Sequence, residues 1–293
     1  MHKVWNSAVA LLVITGALLG LTLPFATIGS AAGVAPAVWA LVVSGGSGLV
    51  LLVAFLLRGG RMQFTPPKAR YFIVAAVISF VIPNLLMFSV IPHLGAGYTG
   101  IMFTLSPVVT LVLSLVFGVR RPNGLGIAGI AVGFAGALLV ALTRGEAGQP
   151  AALTWVGLGL LIPVALALGN IYRTYDWPQG TGPIELAVGS NLTSALILLL
   201  IIGVTGQAGA IADLARVPVV AVAQMISAAS MFAFFFRLQS VGGPVYLSQI
   251  GYVGAAVGLV SGTLFLGERY QLLTWIGAVT IVAGVLMTTK AQK

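Results

Sequence analysis

The sequence contains no cysteine, which removes disulfide frameworks, thiolate nucleophiles and zinc–thiolate sites together. Charge is nearly as scarce. Only 6% of the 293 residues are Asp, Glu, Lys or Arg, against about 25% in soluble domains, so the chain could not coat a fold of its size for water. Two histidines, His2 and His93, and five carboxylates leave little for metal coordination or acid–base work. No HExxH, GxSxG, Walker loop or helix-opening GxGxxG occurs. Glu146, Asp176, Glu185, Asp213 and Glu268 all fall in loops or near helix ends. The inventory predicts neither catalytic residues, nor a metal, nor a cofactor, and an enzyme is not expected.

What the chain has instead is apolar length. Hydrophobic residues make up 59% of it and the mean hydropathy is +1.10. At about 20 apolar residues per crossing, ten candidate spans follow: 5–28, 36–57, 71–91, 95–118, 124–143, 153–173, 183–204, 217–237, 243–266 and 271–289. The longest connections are Gly59–Arg70 and Thr205–Arg216. The first run is too long for the apolar stretch of a signal peptide and is read as the first helix. An all-α integral membrane protein is the expected fold class, with the lipid bilayer as its surroundings. The sequence has no coiled coil or soluble domain, and a monomer is compatible with it.

The net charge of +9 does not indicate nucleic acid, because the basic residues sit singly or in small groups between apolar runs rather than along a wetted stripe. They act as topology signals. With the N-terminus inside, the inner segments hold Lys3, Arg58, Arg61, Lys68, Arg70, Arg120, Arg121, Arg173, Arg237, Lys290 and Lys293. The outer segments hold Arg144, Arg216 and Arg269. Both termini are therefore expected in the cytoplasm.

An internal repeat is also present. Shifting the chain by 148 residues aligns 95–140 with 243–288 without gaps, and 12 of 46 positions are identical, among them Gly95/Gly243, Tyr98/Tyr246, Arg121/Arg269, Gly129/Gly277 and Gly136/Gly284. Five spans per half is odd, so the second copy enters the membrane the other way up. The expected organisation is a first five-helix repeat over 1–148 and an inverted second one over 149–293, an arrangement under which secondary transporters alternate access to a midplane site.

The repeated residues also carry a family resemblance. Gly97-Tyr98-Thr99, Ser106-Pro107 and the glycines Gly129, Gly133 and Gly136 resemble the end of an EamA-type repeat. Leu264-Phe265-Leu266-Gly267-Glu268-Arg269 resembles the signature before the last helix of such a repeat, while Leu23-Pro24-Phe25 and Asn170-Ile171-Tyr172-Arg173 fit the openings of the two copies. The chain is similar throughout its length to the drug/metabolite transporter superfamily, and within it to the ten-helix YddG-type exporters. It departs from the pattern at Val119-Arg120-Arg121, where the first copy has no acidic residue. The resemblance implies inner-membrane export of small metabolites, amino acids in particular, aromatic and other neutral ones included.

Helical wheels at about 100° per residue supply candidate substrate-binding residues. In span 9, Tyr246, Gln249, Tyr252 and Val253 share one face, and Gly251, Gly254, Gly258 and Gly262 form the opposite, packing face. Span 4 repeats the design with Tyr98, Ile101, Thr104 and Leu105. Asn84, Asn170 and the stripe Gln224, Ser227 and Met231 complete the set. Each has a structural alternative: the tyrosines as an interfacial belt, the amides as interhelical hydrogen bonds. His93 is expected in a wetted outer turn. Pro83, Pro107 and Pro163 are expected to interrupt helices beside a cavity. The middle of every span lacks ionisable residues, which predicts a mostly neutral pathway without obligatory proton coupling. A channel, a subunit of a larger complex, or a membrane-embedded enzyme are the other classes weighed.

Overall fold

In a hydrocarbon medium every backbone N–H and C=O must find its partner within the protein, and the apolar runs satisfy this as helices. The computed structural model describes residues 5–118, 123–142 and 152–291. Lys3, Arg120, Arg121, Arg144 and Lys293, all used in the charge argument, lie outside the described residues, as do His2, Val119 and Glu146. Among the described residues there are helices and no strands. We number them α1 (Ala8–Ala31), α2 (Pro36–Leu57), α3 (Pro66–Leu94), α4 (Ala96–Val116), α5 (Gly124–Ala141), α6 (Leu153–Tyr175), α7 (Pro183–Val204), α8 (Pro218–Ser248), α9 (Ile250–Leu266) and α10 (Leu272–Lys290). Seven of these, all except α5, α9 and α10, are long and apolar enough to cross a membrane by themselves.

Contacts between helix ends fall into two groups. At one end Arg237 binds the Trp5 carbonyl and Asn6, Lys68 pairs with Glu185, Arg70 pairs with Asp176, and Asn123 donates to the Ala291 carbonyl. At the other, Arg216 donates to the Ala32 carbonyl, His93 stacks on Trp155, and Glu268 accepts from the Ala96 and Gly97 amides. His93 is exposed there, on the last turn of α3 rather than in a loop. The described cations are unevenly shared. Arg58, Arg61, Lys68, Arg70, Arg173, Arg237 and Lys290 belong to the first end, Arg216 and Arg269 to the second.

Two junctions differ from the expected spans. α3 and α4 meet at Gly95 (φ 79°), and α8 runs on past residue 237 to break at Gly243 (φ 73°) before continuing into α9. One residue in a backbone conformation that costs glycine nothing replaces a loop at each place. All positive-φ glycines among the described residues pair in the same way: Gly33 with Gly180, Gly59 with Gly206, Gly95 with Gly243 and Gly118 with Gly267, each 147 to 149 residues apart.

The closest helix pair is α5 and α10. A Cβ on Gly129 would lie 2.8 Å from the Gly284 carbonyl oxygen, and one on Gly136 would lie 2.7 Å from that of Gly277. These helices run antiparallel, and the repeat shift that maps Gly129 onto Gly277 and Gly136 onto Gly284 maps the contact onto itself. The opening helix of each half crosses into the other half. On α1, Gly16 lies against Val253 and Gly20 against the Gly254 carbonyl; on α6, Gly159 faces Leu94 and Met102, and Gly169 faces Ser79. Dispersion between closely approaching backbones holds such helices together in lipid.

A Cβ added at Gly284 would meet the Gly133 nitrogen at 2.5 Å and the Gly129 oxygen at 2.6 Å, whereas one at Gly157 meets nothing within 4 Å. Gly284→Ala is expected to cost about 1–3 kcal/mol through forced separation of the helices and to lower the apparent melting temperature of the purified protein. Gly157→Ala should leave it unchanged or raised. Equal melting temperatures would remove the close α5–α10 contact.

Candidate functional site

Two helix irregularities precede prolines; a third, the π-helical stretch at Val42–Gly46 in α2, does not, and α6 runs through Pro163 as regular helix, against the expectation of an interruption there. Pro83 and Pro107 donate no backbone hydrogen bond to the carbonyls four residues back, those of Ser79 and Phe103. The chain responds with a π-helical stretch at Ala76–Val81 and a 3-10 turn at Phe103–Leu105, each ending just before its proline. The Ser106 amide takes the Phe103 carbonyl in that 3-10 turn, and Gly251 approaches the same oxygen so closely that a Cβ there would lie 2.5 Å from it. Irregular turns inside long helices frequently mark functional positions. Here the two that precede prolines lie beside a cavity.

The cavity is lined from α1, α3, α4, α6, α8 and α9, so both halves contribute. Its wall is mostly apolar: Phe80, Phe103, Phe232 and Phe235, with Met87 and Met231. Ser79, Asn84, Ser106, Asn170, Arg173 and Ser248 supply the polar groups. The Ser79 hydroxyl and the Asn84 amide nitrogen are buried without a hydrogen-bond partner. No carboxylate or histidine stands among the described lining residues. An apolar lining with few polar groups suits a small molecule that carries an apolar body.

Arg173 occupies one end of this cavity, two residues before the end of α6, and is 2% exposed. Its Nε donates to Gln239 Oε1 (2.9 Å) and its Nη2 to Asn170 Oδ1 (2.7 Å). Gln239 is itself held by the Asn170 carbonyl and the Thr174 hydroxyl. The guanidinium carbon lies 4.8 Å from the ring centre of Phe235, 5.6 Å from that of Phe80 and 6.0 Å from that of Phe236, distances at which a cation is attracted to an aromatic face. The expectation of a neutral pathway therefore needs correction. Arg173 is near a helix end by number, but the cavity reaches that end and takes the charge inside.

Three of the substrate-binding candidates reach the cavity wall: Asn84, Asn170 and Met231. The others stand elsewhere. Gln224 donates to the Thr22 hydroxyl of α1 (3.4 Å), and Ser227 is half-buried one turn further along α8. Tyr98 is buried in the first turn of α4, and Thr104 donates to the Ile101 carbonyl. Tyr246 packs over Gly242, Gln249 accepts from Thr288 of α10, and Tyr252 lies over Gly133 and donates to the Ile130 carbonyl (3.4 Å). The wheel cannot name the neighbours of these positions: Gln249 and Tyr252 meet α10 and α5. Val253, expected to look across a cavity, is wedged on Gly16 of α1. Phe80, Phe103, Ser79 and Arg173 are lining residues that the spacing argument missed; the positions four residues before Pro83 and Pro107 were a signal for Ser79 and Phe103.

The family motif Leu264–Arg269 also acquires a physical role. Glu268 accepts from the Ala96 amide (3.1 Å), the Gly97 amide (3.4 Å) and the Tyr270 hydroxyl, so it caps the N-terminus of α4, where a negative charge is favoured. The repeat counterpart of Ala96 is Pro244, which has no N–H to cap.

Residues 6–142 match the model of the EamA-like transporter family. That segment is similar to an EamA-like transporter repeat. The match is consistent with the drug/metabolite transporter superfamily, and it points to a membrane transporter of small molecules rather than an enzyme. No curated protein matches the sequence. A protein of known crystal structure is similar over 97% of this chain and 99% of its own, with a TM-score of 0.72 at 18% identity, a likeness of fold alone. The EamA-like segment supplies α1 to α5 and hence half of the cavity wall.

The absence of native cysteine makes the cavity directly testable. Ser106→Cys and Ser248→Cys, at lining positions, should react with a small charged methanethiosulfonate. Ser114→Cys, fully buried about two turns further along α4 and not part of the wall, should not. Equal labelling at all three positions would remove the cavity.

Proposed function

We propose that this protein is a secondary transporter that exports small metabolites across the cytoplasmic membrane by alternating access, with amino acids, aromatic and other neutral ones, as the substrate class. In this reading it consists of two inverted five-helix repeats, 1–148 and 149–293, with both termini in the cytoplasm, and works as a monomer without a cofactor. The observation that carries the reading is the cavity shared by the two halves, beside which α3 and α4 of the first half deform. Repeat-related rigid units meeting around one site are what rocking between inward- and outward-open states needs. The antiparallel α5–α10 contact and the glycine pairs at constant spacing support an inverted repeat. The concentration of described cations at the end that holds Trp5 and Ala291 supports cytoplasmic termini. Export of an aromatic or other neutral amino acid is favoured by the phenylalanine and methionine lining of the cavity.

Obligatory proton coupling requires a group that gains and loses a proton within the pathway, and such groups in membranes are carboxylates and histidines. The described wall offers neither, and Arg173 stays charged at any physiological pH. Substrate is therefore proposed to move down its own gradient. Reconstituted in liposomes, the protein should show saturable counterflow of phenylalanine or another neutral amino acid, without uphill accumulation when only a proton gradient is imposed. Flux that never saturates would indicate a channel. Uphill accumulation abolished by a protonophore would contradict uncoupled transport.

A further inference from the structure

Arg173 poses a problem of charge. A guanidinium removed from water is costly unless an opposite charge accompanies it, and the hydrogen-bond acceptors described around Arg173 are neutral amide oxygens of Gln239 and Asn170. The carboxylates that the structure describes are all engaged elsewhere. Asp176, three residues along the chain, is held by Arg70 and the Tyr172 hydroxyl. Glu185 is paired with Lys68 at 2.6 Å and Asp213 with Arg216 at 3.1 Å, while Glu268 caps α4. Among the described residues no ion pair includes Arg173, and its two hydrogen bonds use two of the five N–H donors of the fork. Three aromatic rings soften the cost without supplying a countercharge.

The rest of the wall has the same bias. The Asn84 amide nitrogen is an unpartnered donor on it, and the Ser79 hydroxyl, which can donate or accept, is unpartnered too. Ser79 is itself 6% exposed. There is a buried cation and a surplus of donors, and no described anion to receive an ammonium group.

We propose that Arg173 binds the carboxylate of the transported molecule, and that the cavity selects a carboxylate on an apolar or aromatic body, with the amine of an amino acid dispensable. The inference rests on the reading of the cavity as the transport site and narrows its substrate class. A planar carboxylate fits the guanidinium fork in a two-point contact, and the phenylalanine and methionine lining takes up the apolar remainder. An amine without a carboxylate would bring a second cation beside Arg173, where repulsion replaces attraction.

Equilibrium binding to the full-length protein in lipid nanodiscs tests this with two simple probes. 3-Phenylpropanoate keeps the carboxylate and lacks the amine; phenethylamine is the reverse. The expected result is binding of 3-phenylpropanoate at least as tight as that of phenylalanine, with phenethylamine weaker by tenfold or more. Arg173→Gln should weaken 3-phenylpropanoate by roughly tenfold or more, as expected for loss of a charge-assisted hydrogen-bonded pair, and should erase the preference over phenethylamine. Arg173→Lys keeps the charge without the planar fork; it is expected to retain the sign of the preference at reduced affinity, and it carries the test if the glutamine variant does not fold. Failure of 3-phenylpropanoate to bind, equal or tighter binding of phenethylamine, or a folded Arg173→Gln protein with unchanged preference would each overturn the proposal. Amino-acid counterflow in liposomes is read separately. Its absence alongside carboxylate binding would sink the proposed amino-acid export while leaving the anion site standing.

Discussion

Everything distinctive in this structure follows from one requirement of a hydrocarbon medium: a backbone carbonyl released from its helix must be housed by the protein. Pro83 and Pro107 cannot bond the carbonyls of Ser79 and Phe103, and the turns before them adopt π and 3-10 geometry, in which the Ser106 amide takes the Phe103 carbonyl. Neither position faces lipid, since both residues line the cavity. Gly251 closes on the Phe103 carbonyl because it has no side chain to keep α9 away. These two irregular turns lie at the cavity, whereas the π-helical stretch at Val42–Gly46 of α2 lies away from it; glycine contacts hold the other helices close.

A second constraint is the shortage of carboxylates. With five acidic residues in the whole chain, each placement matters. Lys68–Glu185 and Arg70–Asp176 tie the start of α3 to α7 and to the end of α6. Glu268 ties the α9–α10 turn to the start of α4. All three bonds connect one half of the chain to the other, at opposite ends of the molecule. They are suited to hold one state and to exchange partners in another, in contrast to the α5–α10 contact, whose backbone packing has little room to slide. Spending the acids at the ends leaves the interior cation, Arg173, without a described countercharge.

Much of the architecture is legible in the sequence because hydrophobic length and repeated glycines are local signals. Spans 2 and 7 agree with α2 and α7 in their bounds, and the shift of 148 that pairs Gly95 with Gly243 also pairs two backbone breaks of the same kind. The candidate site is legible only in part. Periodicity divides a helix into faces but does not say what each face meets, and α9 is covered on several sides. Gln249 and Tyr252 meet α10 and α5, so Tyr252 covers Gly133 while the cavity receives Gly251 from the glycine face. Arg173 escaped notice for a related reason. Distance from a helix end along the chain is a poor guide to depth when a cavity extends to that end.

The account stands on the claim that the two halves move about their shared cavity. The sequence lacks native cysteine, so spin labels can be placed at exposed positions of opposite halves: Arg61 with Gln179 at one end, and Ala31 with Gln207 at the other. Double electron–electron resonance in nanodiscs should give more than one distance population for each pair. A saturating transported substrate should shift the two pairs in opposite directions, one end closing as the other opens. A single population at both ends, unmoved by substrate, would contradict alternating access and with it the central reading of the structure.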